Sequence, residues 1–171
     1  MGFELPEIFK VSKQMEDILI GKKINKIILT EHSRSIIKQG MSNLDIRQND
    51  ILNSVIKKIA PKGKWIFLEF ENNNFLMFGE IIGKFLYFEK GNSLPQKFHV
   101  LFQFDDGTSI IFQSSLYAFL TVATKEEKNL HKYAGSIGLS PNDKDFTLDY
   151  FNRIFVQNEK KPIKALLNLQ N

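Results

Sequence analysis

The chain has 171 residues, 43% of them hydrophobic and 25% charged, so it is long and apolar enough for one well-cored domain and is not an intrinsically disordered chain. There are 23 Lys plus Arg against 19 Asp plus Glu, a formal charge of +4, which permits a polyanionic partner and is equally explained by solvated lysines. With no cysteine, disulfides and thiolate zinc sites are excluded, and no apolar run approaches the roughly 20 residues of a membrane span.

The chain opens Met1-Gly2-Phe3-Glu4-Leu5-Pro6-Glu7, with two carboxylates and a proline close to a free α-amine. An α-amine, with a reference pKa of roughly 8, keeps a useful neutral fraction near pH 7, whereas a lysine at roughly 10.4 does not. Glu4 or Glu7 beside such an amine can shuttle protons. The same residues also read as an ordinary helix approach, with acidic groups favoured by the helix dipole. The N-terminus lacks the basic-then-apolar pattern of a signal peptide, and a soluble cytoplasmic protein is expected.

Ile8, Val11, Met15, Ile18 and Leu19 recur at helical spacing and Gly21 stands at a C-terminal cap, so an amphipathic helix is predicted with its stripe on the core. A strand over 24–29 follows. From 30 to 49 the period weakens and Gly40, Ser42, Asn43 and Asn49 punctuate a loop-rich segment. His32 and Arg34 lie there, and His32 reads as a solvated loop residue.

Residues 52–59 and 65–70 are β-rich runs joined by Ala60-Pro61-Lys62-Gly63-Lys64, a hairpin connection that presents two lysines at its tip. By themselves they read as turn charges that discourage edge pairing. Residues 71–74 form a polar turn and Phe75 starts another strand. Asp105-Asp106-Gly107 is a further turn. Lys125-Glu126-Glu127-Lys128 reads as a solvated turn or short helix, and Gly135-Ser136-Ile137-Gly138-Leu139-Ser140-Pro141 as a hinge. Leu148, Phe151, Ile154 and Phe155 mark a helix, and 161–167 the start of another with Pro162 in its first turn.

In their shared order these motifs resemble the formamidopyrimidine-DNA glycosylase and endonuclease VIII family, whose chains begin Met-Pro-Glu-Leu-Pro-Glu. In that register Glu4 falls on the family's catalytic Glu, and Leu5, Pro6 and Glu7 match in order. Phe3 stands where the family has its nucleophilic proline, and Gly2 is one added residue. Because Gly2 is small, removal of Met1 is expected, which leaves a glycine amine. Lys64-Trp65-Ile66-Phe67-Leu68 resembles the family's Lys-Tyr-Leu-Leu-Leu segment, so the resemblance makes Lys64 the phosphate contact beside the lesion and Lys62 its helper. Met77-Phe78-Gly79-Glu80-Ile81-Ile82-Gly83 takes the place of His-Leu-Gly-Met-Ser-Gly, whose Met fills the hole left by an everted base. Glu80 would repel the groove, so Ile81 is the wedge candidate. Phe98-His99-Val100 resembles the family's Asp-His-Val strand. Beyond it, Ser114-Ser115-Leu116-Tyr117-Ala118-Phe119 replaces Asp-Pro-Arg-Arg-Phe, which leaves Leu116 and Tyr117 as intercalation candidates or as core-strand residues.

The resemblance implies an α+β fold: an N-terminal helix, a two-layer antiparallel β-sandwich of about eight strands, then C-terminal helices. It divides the chain into a sandwich domain, 1–134, and a hinge with the first helices of a helix-two-turn-helix domain, 135–171. The implied activity is base-excision repair by a DNA glycosylase and AP lyase on double-stranded DNA with a damaged base or abasic site. No metal, cofactor or membrane partner is expected, and the chain is expected to be a monomer. The missing proline and arginine support a second reading, a non-catalytic nucleic-acid-binding or interaction domain on the same scaffold. The third reading is a plain structural domain.

Overall fold

Glu4 ends an extended N-terminal segment and starts the first helix, its backbone N–H donating to Glu7 Oε2 at 2.9 Å as half of a capping box. Helix α1, Leu5–Leu19, tolerates Pro6 because a first-turn N–H has no intrahelical acceptor. It buries Ile8, Met15 and Leu19, the predicted stripe. Gly21 follows at φ +82°, the left-handed conformation that glycine takes without strain, and donates its N–H to Ile56 O. In this computed structural model, which describes residues 2–140 and 143–162, the helix packs on two four-stranded antiparallel sheets.

The first sheet has the order β1-β6-β7-β5, with β1 Ile24–Leu29, β5 Gly83–Phe88, β6 Val100–Phe104 and β7 Ser109–Ser114. The second has the order β2-β3-β4-β8, with β2 Ile56–Lys62, β3 Trp65–Phe70, β4 Asn74–Gly79 and β8 Phe119–Thr124. Alternate residues of each strand face the space between the sheets. Ile66, Leu68 and Phe70 of β3 meet Leu76 and Phe78 of β4, Val100 and Phe102 of β6, and Phe112 of β7 in one core that α1 completes. The predicted α+β sandwich is the observed fold.

Two predicted segments differ. The run expected as a strand from 52 begins at Ile56, because Asn53, at φ +60°, turns the chain and donates its N–H to Ile24 O at 2.7 Å. The loop-rich segment 30–49 is built of short helical turns, including α2 Arg34–Lys38 and α3 Leu44–Arg47, anchored by buried Ile36 and Leu44. Asn43 bonds the backbone of Val122 in both directions, at 2.7 and 2.9 Å, and so covers the open edge of β8. Beyond β8 lie α4, Lys125–Leu130, and α5, Leu148–Gln157, which buries none of its residues. The helix predicted over 161–167 lies, from residue 163 onward, outside the described residues. No described helix is long and apolar enough to cross a membrane.

The second sheet has a further core on its outer face. Trp65, 2% exposed, stacks on Phe67 and Phe119 and meets the edge of His131 at 5.1 Å, while Met77, Ala123, Ala134 and Ile137 close around it. Gly79 makes this possible: a Cβ there would lie 2.4 Å from Trp65 ring carbons. The Trp ring therefore occupies the space that any side chain at 79 would fill.

Candidate functional site

Most of the predicted site residues meet at one end of the sandwich, around the connection between β4 and β5, residues 80–82. Three separate segments are tied to it through the backbone. Phe3 N–H donates to Ile81 O at 2.9 Å, Glu80 N–H to Lys64 O at 3.3 Å, and Ile82 N–H to Tyr117 O at 3.2 Å. Ser115 N–H adds a bond to Ile82 O at 2.7 Å. Glu80 takes φ +47°, a conformation L residues rarely adopt, and this bend aims consecutive backbone groups at different partners.

That connection brings Glu4 and Lys64 together. Lys64 sits in the two-residue turn between β2 and β3, whose first residue, Gly63, has φ +53°. Its Nζ lies 3.5 Å from Glu4 Oε2, with the lysine side chain 28% and the carboxylate 58% exposed. A half-exposed pair of this kind contributes less than about 1 kcal/mol to stability and leaves both groups free to meet a ligand. Gly2 lies along the same connection, where a Cβ would sit 3.4 Å from Ile82 Cγ1 and 3.5 Å from Ile81 O. The Phe3 nitrogen is an amide already bonded to Ile81, and its ring packs toward Phe85. Glu7 holds the helix cap and points its carboxylate at the backbone of Glu4.

Not every predicted residue takes its expected role. Lys62 ends β2 and lines the outer face of the second sheet with Lys58 and Lys128, away from the Glu4–Lys64 contact. Ile81 cannot serve as a wedge as expected: it is 1% exposed and belongs to the inner core, because the bend at Glu80 turns its side chain inward. Leu116 and Tyr117 are not core-strand residues. Both lie between β7 and β8, with Leu116 69% exposed beside the site.

The structure adds His99 to this end of the molecule. Its Nδ1 accepts the Ser114 N–H at 3.2 Å, and His32 faces it with ring centroids 6.1 Å apart. Burial, and then the neighbouring His32, holds the His99 imidazole below the ordinary histidine value. Its place before a strand was legible; its approach to His32, 67 residues away by number (99 − 32), was not. Among the described residues no cluster of three or more His, Asp or Glu side chains is arranged to hold a metal ion.

The comparisons with known proteins agree with this architecture. The family described as Formamidopyrimidine-DNA glycosylase N-terminal domain matches residues 3–115, and the chain belongs to that family. Relatives include the formamidopyrimidine-DNA glycosylases of Streptococcus mutans, 27% identical over 96% of this chain and 58% of that protein, and of Cytobacillus firmus, 26% identical over 96% and 60%. The chain thus spans about 58% of the Streptococcus mutans relative's length. The fold matches Lactococcus lactis Fpg in complex with DNA containing an abasic site, with a TM-score of 0.78 and 21% identity over 98% of this chain and 61% of that one. It also matches MutM in complex with DNA containing carbocyclic 8-oxo-G, with a TM-score of 0.77 and 22% identity over 98% and 62%.

Proposed function

We propose that the chain recognises damaged or abasic sites in double-stranded DNA and acts on them as a DNA glycosylase and AP lyase, in the bacterial cytoplasm and as a monomer. The observation that carries this reading is the 3.5 Å approach of Lys64 Nζ to Glu4 Oε2 at the end of the sandwich where Gly2 also lies. An amine, a carboxylate and a cation at one edge are the groups that sugar-amine chemistry on DNA needs. Lys64 holds the phosphate flanking the everted nucleotide, and exposed Leu116, with Tyr117, fills the vacated stack.

The chemistry starts from the amine of Gly2, with Met1 removed. Its lone pair forms a bond to the sugar C1′ as the bond from C1′ to the base breaks; Glu4 carries the amine proton to O4′ as the C1′–O4′ bond opens to the Schiff base, and loss of a C2′ proton then expels the 3′ phosphate and cleaves the strand. The added residue displaces this amine by up to about 3.5 Å from the proline position, and near-attack geometry tolerates much less. Slow lyase activity and poor base excision are therefore expected. The same reading divides the chain at 134/135 into a sandwich domain and the first part of a second domain, supported by the lack of buried residues in α5.

Borohydride trapping on an abasic-site duplex tests the proposal, with protein whose first residue is Gly2. A covalent adduct mapping to Gly2 supports it. DNA binding without any adduct leaves the non-catalytic reading, which the engaged Phe3 amide favours.

A further inference from the structure

The outer face of the second sheet holds a basic trough that the site above does not use. Lys58, Ala60 and Lys62 alternate along one face of β2. With Phe67 and Glu69 of β3, Phe75 of β4 and Lys128 of α4 they line a cavity of about 200 Å³. The two phenylalanines, 9% and 6% exposed, form its floor. Lys128 Nζ lies over that floor, 4.4 Å from the Phe75 ring centroid and 5.6 Å from that of Phe67.

The charge in this trough is unbalanced. Glu69 is the one carboxylate lining it, and its Oε1 faces Lys57 Nζ at 3.5 Å. Among the described residues no ion pair within 4.0 Å involves Lys58, Lys62 or Lys128. Partial burial holds the Lys128 ammonium below the ordinary lysine value; Glu69 opposes this, and Lys62, Lys125 and Lys58 add to it. An anion that entered would relieve this mutual repulsion.

We propose that the trough is a binding site for a phosphate group, with Lys58, Lys62 and Lys128 as its cationic ligands and Phe67 and Phe75 as its floor. Three lysines lining one cavity suit an anion with two charges and several acceptor oxygens, whereas a planar carboxylate is better matched by the fork of an arginine. The group can belong to a nucleic-acid backbone or to free phosphate, and both present the same oxygens. The site requires no chemistry at the N-terminus and stands apart from the activity proposed above.

The test is a titration of the 171-residue chain with inorganic phosphate, followed by backbone amide NMR shifts. Saturable shifts confined to β2, Asn129 and Gly135 are expected, with affinity lowered about tenfold by Lys128→Gln and less by Lys62→Gln. Lys62 is exposed and makes no ring contact, so its variant keeps the test valid should Lys128→Gln unfold α4. Shifts that never saturate and spread over all surface lysines overturn the proposal, as do saturable shifts that survive both substitutions. A lesion-free duplex then separates the sources. If it displaces phosphate from the trough, the ligand is a backbone phosphate; if phosphate stays bound, the ligand is free phosphate. Either result requires the site.

Discussion

Lys62 and Lys64 are separated by a single glycine, yet they belong to regions of opposite character. Lys64 joins the polar end of the sandwich, where Glu4 and Gly2 gather on the 80–82 connection and the side chains stay half exposed. Lys62 joins the outer face of the second sheet, beside a packed aromatic layer centred on Trp65. Strand alternation sends Lys62 outward with Lys58 and Ala60, and the glycine turn then swings Lys64 toward the N-terminus. One hairpin thus supplies a loosely held chemical edge and a tightly packed structural face. A single glycine turn decides which of two neighbouring lysines meets a carboxylate and which lies against a packed layer.

The largest expected effect tests whether the outer face is a true second core. Trp65→Ala should cost about 3–5 kcal/mol in urea unfolding, as for other buried aromatics. A cost below about 1 kcal/mol would mean that the aromatic layer is only a cover. Next comes a contrast between two glycines. Gly79→Ala should destabilise by about 1–3 kcal/mol, since its Cβ would lie 2.4 Å from the Trp65 ring. Gly2→Ala, whose Cβ meets Ile82 Cγ1 at an ordinary 3.4 Å, should change stability by less than ~0.5 kcal/mol. Equal costs at both positions would erase the distinction between the regions.

For the two lysines the readout is DNA. Lys64→Ala should weaken binding to every duplex and reduce the salt slope by about 1, with less than ~1 kcal/mol lost in stability. Lys62→Ala should leave the yield of borohydride-trapped adduct within about twofold of the unsubstituted chain, because it lies outside the Glu4–Lys64 edge. A loss of adduct well beyond twofold would join the two regions functionally.

The smallest effect lies at the far end of the first sheet. Lys22 Nζ meets Asp106 Oδ2 at 2.6 Å, and hydrogen bonds from Lys22 and then Thr108 hold the Asp106 carboxyl at about 2. Since the folded value lies below the unfolded one, this contribution is present above about pH 4 and is lost as pH falls toward 2. The carboxylate is 44% exposed, so solvent screening limits the effect to about 1 kcal/mol or less. Melting curves between pH 5 and 2 should show the decline, and Lys22→Met should remove this component of it.

The sequence carried much of the fold in local signals. Helical spacing from Ile8 to Leu19 with Gly21 behind it specified α1, and alternation with Pro, Gly and Asn turns specified the β2–β3–β4 meander, because period and turn chemistry act over a few residues. The match of Glu4, Pro6 and Glu7 to a known motif singled out the N-terminus as the candidate site. Local signals could not decide which way Ile81 faces: one residue with positive φ, Glu80, reverses the expected direction and buries the side chain. Nor could they show that Lys64 would meet Glu4, 60 residues away by number (64 − 4), while Lys62 would not. Contacts between distant segments depend on how the sheets and their connections pack, and here four backbone hydrogen bonds to residues 80–82 set them. Periodicity and turn chemistry therefore determined the local elements of this protein, the resemblance implied their layers, and only the tertiary structure decided which side chains share an edge, because those contacts join segments distant in sequence.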